Sequence, residues 1–316
     1  LKKKAVVVVG ATASGKTALG VHIAKNFGGE VISADSMQIY KTLSISTAKP
    51  TLDEMYGVTH HLIDFLPLSE KYSVSNYCRD ARQVFDELSQ KSILPVIVGG
   101  TGLYIDSFIS NTQFIEDAFS DKVRSDLQNE LQKKGINELY KELCSVDPVA
   151  AEKIHPNNKV RVLRALEVYR ATGKTITWQA EASHNVESDI EPLFIGINYR
   201  DREKLYERIN KRVDIMLESG LLDEVELFMQ SSPSQTAYNA IGCKELIPYL
   251  LGQASLDECV ENLKRETRRY AKRQITWFKR NKNINWFYAD ELSADELYFK
   301  IDSLIKEYLG GDFNGN

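Results

Sequence analysis

The run Gly10-Ala11-Thr12-Ala13-Ser14-Gly15-Lys16-Thr17 satisfies the pattern G-x-x-x-x-G-K-[ST]. Its glycines let backbone N–H groups close around phosphate oxygens, Lys16 neutralises charge, and Thr17 offers a hydroxyl to Mg²⁺. A helix starting at the same point adds the positive end of its dipole. The motif therefore predicts a bound di- or triphosphate and leaves the reaction open. In a nucleotide hydrolase, an aspartate at the end of a neighbouring strand holds the metal. Here the apolar run Leu94 to Val98 ends in Gly99-Gly100-Thr101-Gly102, which supplies N–H groups and a hydroxyl but no carboxylate. That weakens an ATPase reading and leaves room for a site in which diphosphate is a leaving group.

A carboxylate does follow another apolar run, as Asp35 in Ser33-Ala34-Asp35-Ser36. Ligands of open α/β sheets bind outside the carboxyl ends of the strands, so residues 10–17, Asp35 and Thr101 are expected to converge on one crevice. By type and place alone, Asp35 is a metal ligand, a helix cap or a general base. Arg208 and Arg212 stand one helical turn apart and could clamp one anion or form an ion-paired surface. Between Lys264 and Lys282, nine Lys or Arg residues accompany a single Glu. On a helical wheel Arg265, Arg268, Arg269, Lys272, Arg273, Lys279 and Arg280 share one side, and Val260, Leu263, Tyr270, Ala271, Trp277 and Phe278 lie mainly on the other. This describes a basic helix docked by its apolar face, suited to a phosphate backbone or to solvent.

The elements that must position these residues alternate. Ala5 to Val9 reads as a strand, followed by the glycine-rich loop and a helix with Leu19, Ile23 and Phe27 on one face. Strands are expected at Val31 to Ala34 and Pro95 to Val98. Between them runs a helix capped by Ser73, with Val74, Tyr77, Ala81, Val84, Phe85 and Leu88 on one face. Such alternation implies a parallel, doubly wound sheet. From Ile115 to Pro192 only helical periodicity is found (Val123, Leu127, Leu131; Val162, Leu166, Tyr169), so this stretch reads as an insertion. Strand character resumes at Leu193 to Ile197, before a helix bearing Leu205, Ile209, Val213 and Met216. The expected fold is thus α/β, a P-loop NTPase-like parallel sheet flanked by helices with a helical insertion domain: core 1–114, insertion 115–192, core again 193–316.

With 316 residues, 43% of them hydrophobic, the chain can bury a sizeable core of about two domains. No stretch near its beginning resembles a secretory leader or a membrane span. Cysteines 78, 144, 243 and 259 show neither metal-site nor disulfide-scaffold spacing. A net charge of −4 argues against indiscriminate coating of nucleic acid, although the basic segment could hold RNA locally.

Taken together, the motifs resemble those of the bacterial-type tRNA dimethylallyltransferases, also called tRNA isopentenyltransferases, of the IPP transferase family. The resemblance is carried, in family order over nearly the whole chain, by the loop 10–17, Ile32-Ser-Ala-Asp-Ser-Met-Gln-Ile-Tyr40, Ser46-Thr-Ala-Lys-Pro50, His60-His-Leu-Ile-Asp64, Val98-Gly-Gly-Thr-Gly-Leu-Tyr104, His155-Pro-Asn157, Arg164-Ala-Leu-Glu167 and Arg273-Gln-Ile-Thr-Trp277. It implies that the loop holds the diphosphate of dimethylallyl diphosphate with Mg²⁺, and that adenosine 37 of tRNA is flipped out to present its N6. Asp35 then takes the N6 proton, Thr101 bonds near the departing diphosphate, and Arg212 with Arg208 clamps its charge. The implied tRNA contacts are Asp35, Ser36, Met37, Gln38, Thr101 and Arg124; the segment Val160, Arg161, Val162, Leu163, Arg164; the segment Asn239, Ala240, Ile241, Gly242, Cys243, Lys244; and Arg268, Arg269, Lys272 and Arg273 on the basic helix. Asn239 stands where the family commonly has arginine, and Ala11 where it commonly has proline. The expected partners are the tRNA anticodon stem-loop and dimethylallyl diphosphate, and the expected setting is a cytoplasmic monomer away from membranes. A nucleoside or nucleotide kinase, an isopentenyltransferase acting on free adenylate, and a plain RNA-binding module are the alternatives. The absent strand-end aspartate speaks against the first, the basic stripe against the second and Lys16 against the third.

Overall fold

The computed structural model describes residues 2–112, 114, 121–184 and 187–310. Its first part runs β1 (Lys3–Gly10), α1 (Lys16–Asn26), β2 (Gly29–Ala34), α2 (Leu52–Met55), β3 (His60–His61), α3 (Val74–Gln90), β4 (Leu94–Gly99) and α4 (Gly102–Ile109). A helical part follows, with α5 (Asp121–Val146), α6 (Pro148–Lys153), α7 (Lys159–Thr172) and α8 (Ile176–His184). The last part is β5 (Ile190–Asn198), α9 (Arg202–Glu218), α10 (Leu221–Gln230), α11 (Ile247–Leu250), α12 (Leu256–Phe278), β6 (Asn285–Tyr288) and α13 (Ala294–Leu309).

The six strands form one parallel sheet in the order β3-β2-β4-β1-β5-β6. β1 is central, and alternation along it separates two cores. Ala5, Val7 and Val9 join Ile32, Ile97, Tyr77 and Phe85 on one face. Val6 and Val8 join Leu19 and Ile23 of α1 and Leu297, Ile301 and Ile305 of α13 on the other. Full burial of each such side chain contributes about 1.5–3 kcal/mol, and coverage of both faces explains why β1 reads as an unbroken apolar run. Ser73 does cap α3, in a reciprocal box with Asn76, and Tyr77, Ala81, Phe85 and Leu88 are its buried positions.

Two strands escape the reading from periodicity. β3 is two histidines long, and β6 is the four-residue aromatic run Asn285–Tyr288; neither is long enough to show alternation. The boundaries of the helical part also shift. Residues 110–188 form one compact unit, and residues 1–109 with 189–316 form the other. β5 starts at Ile190 rather than Leu193, since Ile190 and Glu191 already pair with Lys3 and Lys4; Glu191-Pro192 disguises that start in the sequence. Within the unit 110–188, Leu127, Leu139, Leu143, Val162 and Leu166 make a separate core, and α5 is broken at Gly135, whose φ is 77°.

Candidate active site

At the end of β1 the chain must turn sharply. A Cβ on Gly10 would come within 2.6 Å of both the Ile197 carbonyl oxygen and Ser14 Oγ, so only glycine passes there. Ala13 and Gly15 then adopt left-handed backbone, with φ of 61° and 99°, which turns successive N–H groups to the inside of the loop. No side chain caps α1 at Gly15, leaving its first-turn donors and dipole to an anion. Ser14 Oγ is buried in the loop without a hydrogen-bond partner among the described residues. Lys16 Nζ reaches back to the Ala11 carbonyl oxygen at 3.3 Å. Burial lowers the Lys16 pKa to about 8; Asp35 opposes that shift and Arg212 adds to it.

Asp35 follows β2 and divides its two oxygens. Oδ1 accepts from Met37 N at 2.9 Å and Gln38 N at 3.3 Å, closing the turn after the strand. Oδ2 has no hydrogen-bond partner among the described residues, and the side chain lines the cleft. Asp35 therefore serves as a cap and still presents a lone acceptor. Thr101 is set one layer back. Its N–H donates to Ala34 O at 3.1 Å, and its Oγ1 accepts from Ser36 N at 3.0 Å and donates to Ser36 Oγ at 3.3 Å. It supports the Asp35 turn and is not among the residues lining the cleft.

Two residues of α12, to which the sequence reading gives no chemical role, complete this layer. Gln274 is buried; its Oε1 accepts from Thr12 N at 2.8 Å and its Nε2 donates to Gly100 O at 3.1 Å. One carboxamide thus ties the phosphate loop to the loop after β4. Gly100 must be glycine for this, because a Cβ there would lie 2.1 Å from Gln274 Nε2. Tyr270, one turn earlier, lines the cleft with its hydroxyl against Thr101 and Gln274; burial, reinforced by the Asp35 charge, raises its pKa and keeps the phenol protonated. The wheel assigns Tyr270 to the docked face, but a phenol needs a partner for its hydroxyl and finds it here. The available signal was a glutamine one turn from a tyrosine on an otherwise apolar face.

The cleft has a volume of about 390 Å³. Thr12, Lys16, Thr17, Asp35, Arg212 and Arg273 make its polar side, and Ile209, Val213, Met216, Ile241 and Leu263 its apolar side. Arg212 donates toward Thr12 Oγ1 at 3.5 Å and Ala48 O at 3.4 Å. Burial works against its charge, with Asp35 and Glu54 opposing that effect. Arg208 donates to Ala13 O at 3.0 Å and is not among the residues lining the cleft. Neither arginine forms a salt bridge among the described residues, so the ion-paired alternative for them falls away. Ser36, Met37 and Gln38 also line the cleft, and Gln38 Nε2 donates to Thr47 O and Ala48 O, each at 3.1 Å.

The remaining expected contacts separate into outward and inward side chains. Asn239, Ile241, Gly242 and Lys244 line the cleft, whereas Ala240 and Cys243 are fully buried and serve the core. On α12, Arg269, Lys272 and Arg273 are exposed, but Arg268 turns back to Asn210 Oδ1 of α9 at 2.6 Å. Arg269 also reaches Glu266 at 2.7 Å. In the unit 110–188, Val160 and Arg161 are exposed, Leu163 is half-buried, and Val162 belongs to that unit's core. Arg124 and Arg164 both bind the buried Glu167, at 2.8 and 2.9 Å.

Among the described residues no group of three His, Cys, Asp or Glu side chains could hold a metal. Mg²⁺ does not require one, because it keeps its waters and takes one or two protein oxygens beside substrate phosphates. Thr17, which lines both the cleft and a small recess next to it, fits that demand with its hydroxyl.

Comparison with known proteins gives one consistent answer. Residues 38–281 match the family model described as IPP transferase. The chain is 48% identical over 305 residues to the tRNA dimethylallyltransferase of Acetivibrio thermocellus, covering 96% of each chain. It is 44% identical to that of a Thermoanaerobacter species, covering 98% of each. Among solved structures, a tRNA isopentenylpyrophosphate transferase from Staphylococcus epidermidis is similar with a TM-score of 0.71 at 41% identity, covering 97% of this chain and 100% of that one. A eukaryotic dimethylallyltransferase acting on tRNA is similar with a TM-score of 0.84 at 28% identity, covering 98% and 80%.

Proposed function

Because the chain belongs to the IPP transferase family, we propose that it transfers the dimethylallyl group of dimethylallyl diphosphate to N6 of adenosine 37 in the anticodon loop of tRNA. The observation that carries this reading is the joint presence, in one cleft, of a phosphate loop, a free carboxylate oxygen on Asp35 and an apolar wall.

In the reaction, N6 attacks the allylic carbon, the carbon–oxygen bond to diphosphate breaks, and the N6 proton passes to Asp35 Oδ2. Negative charge develops on the leaving diphosphate, where the loop N–H groups, Lys16 and Arg212 converge. Thr17 and the diphosphate oxygens would hold Mg²⁺, which supplies further neutralisation of that charge. Ile209, Val213, Met216 and Leu263 offer the five-carbon chain a dry surface. Thr101 acts through Ser36 and Tyr270 by fixing the turn that aims Asp35. The exposed Arg269, Lys272 and Arg273 suit the phosphate backbone of the RNA. Among the described residues no helix is long and apolar enough to cross a membrane. The reading further includes a cytoplasmic setting and a monomeric enzyme.

The direct experiment incubates the protein, Mg²⁺ and dimethylallyl diphosphate with unmodified tRNA, followed by nucleoside mass spectrometry, with Asp35→Ala in parallel. One added prenyl group on adenosine 37, and its loss in the variant, is the expected outcome. Prenylation of free adenylate, or phosphate transfer from ATP, with no product on tRNA would overturn the assignment.

A further inference from the structure

We propose that Glu224, which the reaction chemistry does not use, is the positioning residue for the cleft wall at residues 44–48 and, through it, for Arg212 and Gln38; the inference rests on the prenyl-transfer reading of that cleft. Glu224 lies in the first turn of α10 and is 6% exposed. Its carboxylate accepts from three consecutive backbone N–H groups: Ser44 and Ile45 on Oε2, each at 2.7 Å, and Ser46 on Oε1 at 2.9 Å. No lysine or arginine pairs with it among the described residues, so the backbone donors are what compensate its charge. Charge-assisted bonds of this kind are about twice as strong as neutral ones. A buried carboxylate set against three N–H groups therefore imposes one conformation on the wall, since any other leaves the anion unsatisfied.

The wall transmits that conformation through its carbonyls. Thr47 O and Ala48 O receive Gln38 Nε2, and Ala48 O also receives Arg212 Nη2. On its other side the wall abuts the segment 239–244. Gly242 has φ of 114°, and a Cβ there would lie 2.8 Å from Ser46 Cβ. Three parts of the cleft therefore take their position from one anchor. Glu224 touches neither substrate in this arrangement and acts through the placement of Arg212, the group facing the leaving diphosphate.

Glu224→Gln keeps the size but replaces one acceptor with a donor that faces an N–H group. We expect hydrogen exchange of the amides at 44–46 to accelerate. Because misplacement of a charge-stabilising group acts in the transition state, kcat should fall by about tenfold to a hundredfold with the donor KM changed by less than about threefold. In a double-mutant cycle, adding Glu224→Gln to Arg212→Lys should cost little beyond Arg212→Lys alone. Glu224→Asp, which keeps the anion, should recover part of the rate, and it carries the same readouts if the glutamine variant does not fold. Unchanged exchange at 44–46, or full multiplication of the two effects, overturns the inference. Failure of the underlying reading would show separately, as an Arg212→Lys variant that turns over like the wild type.

Discussion

The lowered Lys16 pKa makes a pH prediction that can be worked through from the cleft. The fall from 10.5 to about 8 corresponds to roughly 3 kcal/mol against the charged ammonium in the free protein. An anionic donor needs that charge, so above pH 8 binding must first restore the proton. The expected result is a kcat/KM for the diphosphate donor that falls about tenfold per pH unit above roughly pH 8, because kcat/KM reports the free enzyme. In kcat the same limb should lie higher, since the bound diphosphate holds the ammonium charged. Two neighbouring groups move away from this range: burial raises Tyr270, and Cys243 is pushed up to about 12. Lys16→Arg, which stays protonated, should remove the limb even if overall activity drops. Titration of inorganic diphosphate against pH by calorimetry checks the same point without turnover. Folding stability carries the matching sign: the unfolded chain binds more protons between about pH 8 and 10.5, so stability should rise with pH in that window. A kcat/KM that is flat from about pH 7 to 9.5, or a limb that persists unmoved in Lys16→Arg, would refute the reasoning.

Gln274→Ala should leave Thr12 N–H and Gly100 C=O without their partner, at about 1–3 kcal/mol per group. Denaturant unfolding would register this, and a change below about 0.5 kcal/mol would show that the tie is dispensable. For the basic stripe, the exposed Arg269 and Lys272 should govern RNA affinity while Arg268 does not, because Arg268 is turned to Asn210. Replacing Arg269 and Lys272 with alanine should lower the slope of log affinity against log salt by about 2. An equal drop for Arg268→Ala alone would mean that its observed contact is not the one used with RNA.

The phosphate loop and Asp35 were legible because their geometry is local: a strand, a turn and a helix within consecutive residues. Gln274 was not, since its partners at Thr12 and Gly100 are 262 and 174 residues away; a wheel marks a polar residue on an apolar face but not what that residue ties together. Thr101 was expected at the diphosphate; its bonds to Ser36 come from the approach of two strand ends, which one sequence does not encode locally. The segments read as RNA contacts contain Val162, Ala240 and Cys243, all fully buried. Contiguous motif blocks mix surface and core because a helix or turn presents only some of its residues outward. β3 and β6 fall below the length at which any period can be seen.

What unites the two halves of the proposed reaction is α12. Its 23 residues span about 35 Å and are anchored by the buried Cys259, Leu263, Ala271 and Phe278. Tyr270 and Gln274, at i and i+4, form one ridge that holds Thr101, the phosphate loop and Gly100. Arg269, Lys272 and Arg273 form the adjacent outward ridge. A helix transmits a displacement along its length far better than a loop does, so a phosphate held on the outer ridge is rigidly related to the loop that holds the donor. If RNA docking uses this ridge, truncation of Gln274 should loosen the register between acceptor and donor more than the affinity for either. The loss would then appear in kcat rather than in the KM for tRNA. An effect confined to the KM for tRNA would instead mean that the two ridges act independently.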